Sequence, residues 1–388
     1  MESSINAKSG SSSTFISAIL IPALPVFIPG SVGIISITDI LPGGHTGYVR
    51  LNKQTPLFFA ILFGVELLSH RKLALVSGRS HMSLSEEVAE YMKVILSEAH
   101  LREFANGEMH CRYDSSMRGT DVFIIQTHSR NVNDSLMEQL IMIDAAKRAS
   151  AKRITAICPY YGYSRQDRKA TGREPITAKL VADMLQVAGA DRVVSVDLHS
   201  GQIQGFFDIP FDHLTALPVL EEELHRMDGD GLVVVAPDAG RVKVAERYGQ
   251  HLGADLAVVH KRRPKGSMNE VEALQVVGDV DGRRCVIVDD MIDTAGTICA
   301  AAELLVDRGA NDVWAMATHP VLSDPAAERL DKSVISKVIV TNTLPIPEEK
   351  MIPKLHVVSV AKLIADAIEA VFLDASVSEI FGGDNLAL

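Results

Sequence analysis

The sequence predicts an α/β protein with two similar domains, each a parallel β-sheet flanked by helices. Three observations predict it. From Lys72 onward, short β-branched runs alternate with amphipathic helical stretches, the pattern left by parallel strands joined through crossover helices. The alternation restarts after a break around Pro218 and the Asp228-Gly-Asp-Gly231 turn. The run Gly189-Ala-Asp-Arg-Val-Val-Ser-Val-Asp-Leu-His199 also has a counterpart in Gly309-Ala-Asn-Asp-Val-Trp-Ala-Met-Ala-Thr-His319. Both follow a helical stretch, open on Gly-Ala, share a valine at the fifth place and end in histidine. A duplicated domain accounts for this, with a leader over 1–71 and domains over 72–218 and 219–388.

The elements follow in order. Leu73–Val76 reads as a strand. Leu84–Leu96 reads as a helix, with Ser83 or Ser85 as N-cap and Glu86 and Glu87 in its first turn. Asp121–Ile125 is a strand. Asp134–Ala149 is a helix with apolar positions at Leu136, Leu140, Ile143 and Ala146. Arg153–Cys158, the Thr177–Val187 helix and Arg192–Leu198 complete the first half. The second half reads as the strand Leu232–Ala236, the helix Val242–Leu252, the strand Cys285–Val288 and the helix Ile298–Asp307, stopped at Gly309. Val313–Ala317, Lys337–Val340 and Leu355–Val358 are further strands, and Val360–Phe372 is a closing helix.

The leader reads differently. Ser9 to Thr38 contains no charged residue, and a second apolar run spans Leu57–Leu68 around Glu66. A membrane span needs about 20 apolar residues, but Pro22, Pro25, Pro29 and Gly30 interrupt a helix here. An early basic region is limited to Lys8. No membrane role is expected.

The formal net charge of −11 makes the chain a poor nucleic-acid binder. Four scattered cysteines without a Cys-x-x-Cys pair fit neither a zinc site nor a disulfide scaffold, and suit a cytoplasmic protein.

Open parallel sheets bind ligands at the C-terminal ends of their strands. At one such end stands Val286-Ile-Val-Asp-Asp-Met-Ile-Asp-Thr-Ala-Gly-Thr297. Asp293, Thr294, Ala295, Gly296 and Thr297 lead into a helix whose free backbone N–H groups can hold a phosphate. The preceding Asp289 and Asp290 would repel a phosphate, but suit sugar hydroxyls or a hydrated Mg²⁺. Read alone, the run is otherwise a solvated acidic turn.

This run resembles the phosphoribosyl-diphosphate loop of type I phosphoribosyltransferases and ribose-phosphate diphosphokinases. Six further segments resemble the diphosphokinases, in the same order. They are Phe104-Ala-Asn-Gly-Glu108, Tyr163-Ser-Arg-Gln-Asp167, Asp197-Leu-His199, Gln202–Asp208, Pro237-Asp238-Ala-Gly240 and Lys261-Arg-Arg263. The resemblance runs from about Lys72 to about Phe381. It implies two type I phosphoribosyltransferase-like domains and transfer of diphosphate from MgATP to ribose 5-phosphate, as a homo-oligomer, commonly a hexamer with active sites shared between subunits.

The resemblance also implies roles. Phe104, Asn106 and Glu108 would serve adenine from a neighbouring subunit, although the residues alone read as a polar turn with a packed Phe. Arg165, Gln166 and Asp167 would hold ATP, where the bland alternative is a surface salt bridge. His199 and Asp238 would be ligands of the Mg²⁺ on ATP, an unusual use of imidazole for an oxygen-seeking cation. Asp289, Asp290 and the Asp293–Thr297 turn would hold ribose 5-phosphate. Lys261 and Arg263 would be catalytic, in a mobile flap. Ser116, Arg118 and Arg173 match regulatory positions, and Gly201 replaces a serine found there in some members. Many members also carry a second glycine where this chain has Arg241, which would crowd the diphosphate or add a positive contact; the second reading is preferred. A phosphoribosyltransferase and a non-catalytic synthetase-associated subunit are the rival readings.

Overall fold

The structure is a computed structural model that describes residues 5–9, 12–16, 34–37, 47–50, 72–129, 131–227, 231–262 and 273–381. It divides into two compact units, residues 1–72 and 73–388. In the first unit, Ile5–Ser9 pairs antiparallel with Ser12–Ile16, and Ile34–Ile37 with Gly47–Arg50. The apolar run Leu57–Leu68 lies outside the described residues. Among the described residues no helix is long and apolar enough to cross a membrane.

Among the described residues, the second unit holds two large sheets and one two-stranded hairpin. Its first elements are β1 (Lys72–Ser77), α1 (Met82–Met92), a hairpin of β2 (Ala99–Glu103) and β3 (Met109–Tyr113), and β4 (Thr120–Ile125). They continue with α2 (Val132–Arg148), β5 (Arg153–Cys158), α3 (Thr177–Ala188), β6 (Arg192–Val196) and β7 (Phe211–Leu214). The five-stranded sheet has the order β7-β6-β5-β4-β1. Strand β4 is buried along its whole length, as a parallel strand covered on both faces must be.

Next come α4 (Leu217–Arg226), β8 (Val233–Ala236), α5 (Val242–Leu252), β9 (Asp255–Arg262), β10 (Ala273–Val277) and β11 (Arg284–Ile292). The chain then forms α6 (Gly296–Asp307), β12 (Asp312–Pro320), α7 (Ala326–Lys332), β13 (Lys337–Thr341), β14 (Leu355–Val358) and α8 (Ala361–Phe372). The seven-stranded sheet has the order β10-β9-β8-β11-β12-β13-β14. Only its β9–β10 edge pair is antiparallel. One hydrophobic cluster joins Leu75, Leu84 and Val88 to Val234, Val286, Trp314, Ile364 and Ile368, so the two sheets share apolar packing. Helix α8 lies against α1.

Several sequence expectations are corrected. Helix α1 starts at Met82 without a side-chain cap and ends at Met92, because Lys93 takes a left-handed conformation at φ 55°. Ser85 does not cap it; its hydroxyl is buried and accepts a hydrogen bond from Ser77. Strand β6 stops at Val196, and Asp197 turns at φ 35°. Asp197 and His199 therefore do not share a strand face.

A buried histidine makes the fold acid-sensitive. His128 Nδ1 accepts the Gly162 N–H at 2.8 Å, and Nε2 faces Gln139 Oε1 at 3.0 Å, so the neutral ring fills its site. The approach is close: a β-carbon on Gly162 would stand 2.9 Å from that of His128. Burial drives the imidazole from about 6.5 down to about 4. The unfolded chain therefore binds the extra proton, and this contribution is complete above about pH 6.5 and lost as pH falls towards 4. It amounts to about 3 kcal/mol at most. Urea unfolding followed through the single tryptophan, the buried Trp314, should show the decline between pH 6.5 and 4. The His128→Asn variant should show less of it.

Candidate active site

A cleft of about 560 Å³ gathers the C-terminal ends of strands from both sheets. Its lining includes Asp167, His199, Asp238, Arg241, Asp289 and Asp290. Asp289 and Asp290 do not end their strand as expected. Strand β11 carries on to Ile292, with Asp289 paired to Ala317 and Met291 to His319.

Two carboxyl groups can sit side by side inside a strand because a cation meets them. Arg241 Nε lies 2.9 Å from Asp289 Oδ1, and an Arg241 terminal nitrogen lies 2.7 Å from Asp290 Oδ1. Arg241 thus meets the acid pair in this structure. His199 Nδ1 stands 2.7 Å from Asp290 Oδ2 and 2.7 Å from Arg241. One ring nitrogen cannot both donate and accept. With Asp290 ionised, Nδ1 donates to it, and Nε2 keeps its lone pair. Burial raises both carboxyls. At Asp290 the His199 hydrogen bond and the Arg241 charge outweigh burial and hold the group below the usual carboxylate range. At Asp289, burial and the adjacent Asp290 charge push it well above that range.

The turn after β11 brings a second pair together. Arg165 donates to Asp293 Oδ2 at 2.6 Å, joining two loops that the sequence could only treat separately. Ala295 is buried in a left-handed conformation at φ 59°, and α6 opens at Gly296 without a side-chain cap, so its first N–H groups remain available to an anion. Arg329 donates to the Thr294 carbonyl, while Thr294 and Thr297 are exposed. Gln166 is exposed, and its side-chain carbonyl accepts from Thr177.

Asp238 follows β8 at the mouth of the cleft, where its Oδ1 accepts the Gly240 N–H at 2.8 Å. Among the described residues, no cluster of three or more His, Cys, Asp or Glu side chains is close enough to form a metal site alone. The donor set nevertheless fits Mg²⁺ brought in by a polyphosphate: one Asp238 oxygen and His199 Nε2 border the same space.

Other expected residues lie elsewhere. Phe104, Asn106 and Glu108 form the exposed turn between β2 and β3, closed by Phe104 N–H to Glu108 O at 2.8 Å. Arg102 lies 5.1 Å from the centre of the Phe104 ring. Ser116 and Arg118 flank buried Met117, and Arg173 sits in an exposed loop at φ 69°. None of these six borders the cleft. Lys261 is the penultimate residue of β9, with its side chain outside the description, and Arg263 lies outside the described residues. Sequence reasoning missed Lys243 and Arg247, which line the cleft from the start of α5. Three basic residues at 241, 243 and 247, just after a strand-end aspartate, were the available signal.

Known proteins resemble the chain over most of its length. Residues 73–189 match the family model for the N-terminal domain of ribose phosphate pyrophosphokinase, and residues 261–382 match that for the phosphoribosyl synthetase-associated domain. The chain is 54% identical over 319 residues to a ribose-phosphate pyrophosphokinase of Streptomyces coelicolor, covering 82% of this chain and 98% of the relative. It is 53% identical over 318 residues to that of Mycobacterium tuberculosis, covering 81% and 98%. The crystal structure of phosphoribosylpyrophosphate synthetase from Mycobacterium smegmatis superposes with a TM-score of 0.74 at 52% identity, over 78% of this chain and all of that one. The chain therefore belongs to the ribose-phosphate pyrophosphokinase family.

Proposed function

We propose that the chain transfers the β,γ-diphosphate of MgATP to the C1 hydroxyl of ribose 5-phosphate. The C1 oxygen attacks the β-phosphorus and gives up its proton. The bond from the β-phosphorus to the α,β-bridging oxygen breaks, and AMP leaves. The observation that carries this reading is the shared cleft. His199, Asp238, Asp289 and Asp290 all border it, and the Arg165–Asp293 pair ties together the two loops read as holding ATP and the sugar phosphate.

The roles follow from the chemistry of each group. Asp293, Thr294, Ala295, Gly296 and Thr297 hold the 5-phosphate at the start of α6. Asp289 and Asp290 orient ribose hydroxyls. Arg165, Gln166 and Asp167 hold ATP. His199 Nε2 and Asp238 would hold Mg²⁺, which supplies charge neutralisation at the phosphates. Lys261 and Arg263 stabilise charge on the migrating group.

The wider setting belongs to the same proposal. The two sheets represent two duplicated domains, 72–218 and 219–388, beside a leader over 1–71. The protein forms homo-oligomers, most simply hexamers, in the cytoplasm, with no nucleic-acid partner. The Phe104–Glu108 turn stands away from its own chain's cleft, which supports its serving ATP in a neighbouring copy. Ser116, Arg118 and Arg173 line a regulatory site for phosphate or ADP.

Incubating assembled protein with MgATP, ribose 5-phosphate and inorganic phosphate, with no nucleobase, tests the reading. AMP and 5-phosphoribosyl 1-diphosphate should appear in equal amounts. No AMP, with turnover only once a base and preformed phosphoribosyl diphosphate are supplied, would make the chain a phosphoribosyltransferase instead.

A further inference from the structure

The duplicated run ends in a histidine in both halves, but the two histidines have different surroundings. His199 faces the cleft. His319, near the end of β12, is 2% exposed. Its Nε2 lies 2.9 Å from the carbonyl oxygen of Asp197. A carbonyl only accepts, so Nε2 carries the proton and donates. Nδ1 lies 2.9 Å from the Thr343 hydroxyl. The preceding residue repeats the grip: the Thr318 hydroxyl donates to Asp197 Oδ2 at 2.6 Å. Adjacent residues of one sheet thus bind the main chain and the side chain of one residue that follows a strand of the other.

Asp197 needs holding. Its φ of 35° is unusual for a residue with a β-carbon, and such a conformation costs on the order of 1–3 kcal/mol unless its surroundings impose it. Here they do. Beyond Thr318 and His319, Asp197 Oδ2 accepts the Ala216 N–H at 3.0 Å, and the Asp197 N–H donates to Leu214 O at 2.9 Å. The next residue, Leu198, gives its N–H to His213 Nε2 at 2.8 Å. The main chain is therefore fixed at every step up to His199, whose ring meets Asp290.

We propose that Thr318 and His319 are positioning residues: from the second sheet they lock the left-handed turn at Asp197 and so set where His199 stands in the cleft. The second copy of the duplicated run has come to support the working histidine of the first. This rests on the reading that His199 serves the nucleotide side of the reaction.

A mere bolt between the sheets is the alternative, and the molecule contains a control for it. The Thr127 hydroxyl donates to the Thr343 carbonyl at 2.7 Å and accepts the Tyr160 N–H at 3.1 Å. This buried bond also crosses between the halves, but it does not touch Asp197. Thr127→Val removes this bond between the halves and leaves every hydrogen bond to Asp197 in place. Thr318→Val breaks the grip on the turn at nearly constant volume, and Thr318→Ser restores the hydroxyl.

The test compares kcat, KM for both substrates and the Trp314-monitored thermal midpoint in the full, assembled protein. Thr318→Val should lose roughly 10- to 100-fold in kcat, the scale of a displaced catalytic group, with KM for ribose 5-phosphate changed less than about threefold. Thr318→Ser should recover most of the loss. Thr127→Val should lower the thermal midpoint as much as Thr318→Val does, yet keep kcat within about threefold of the parent. Should Thr318→Val fail to fold, Thr318→Ala removes the same hydroxyl without adding bulk. Wild-type kcat in a folded variant lacking the Thr318 hydroxyl would overturn the proposal, as would equal kcat losses at 127 and 318. Neither result would touch the proposed reaction, which is read in the parent protein by AMP release.

Discussion

Lys261→Ala should lower kcat by about 10³-fold or more while changing KM for MgATP less than about threefold. Diphosphate transfer requires little covalent assistance. It needs alignment and positive charge on the oxygens of the group in flight. In a chain of net charge −11, residues 261–265 concentrate four positive charges around Pro264. Lys261 sits at the end of β9, three residues beyond Val258, which is paired with Ala236 of β8. Asp238 follows β8 two residues later. The lysine therefore stands in the strand next to the one whose end borders the cleft. A charge that acts mainly as the bond to AMP breaks affects turnover more than substrate affinity. Steady-state kinetics with both substrates varied checks this, and an unchanged kcat would remove Lys261 from the mechanism.

Asp290→Asn should destabilise the fold by about 3–5 kcal/mol, because it leaves one member of a buried ion pair uncompensated, and should reduce kcat/KM for ribose 5-phosphate by about 10²-fold, the scale of a displaced group in the site. The side chain of Asp290 is 7% exposed and that of Arg241 14%. Asparagine keeps the shape but cannot neutralise the guanidinium. It also turns an acceptor shared by Arg241 and His199 into a group that carries N–H donors. Both the sugar contact and the orientation of His199 then suffer, so the variant should also lose affinity for MgATP. If MgATP affinity and kcat/KM both stay at parental values, the acid pair has no part in either substrate site.

The chemistry was legible where it is contiguous. Asp289 to Thr297 holds acids, hydroxyls and a glycine in one stretch, and the structure keeps them at one strand end leading into one helix. The β/α alternation was legible because hydrophobic period is a local property. What the sequence withheld depends on residues far apart in the chain. Arg165 meets Asp293, and His319 meets Asp197, only after the chain has folded back on itself. No local signal says that two aspartates lie within reach of Arg241. The same aspartates looked like the end of a strand, since charge usually ends one; their neutralisation by Arg241 lets pairing continue. Asp197 looked like strand because a polar residue after Val193–Val196 continues the alternation, whereas its turn is imposed by partners from elsewhere. The β2–β3 hairpin escaped notice because its strands are short and largely polar, with no fully buried residue.

The pairing of α1 with α8 dictates an order of manufacture. A ribosome releases α1 early, but the helix that covers it emerges only after residues 93–360 have been made. Leu84 and Val88 must wait through that interval with part of their apolar cover missing. A message truncated before Ala361 would yield a product stalled in that condition.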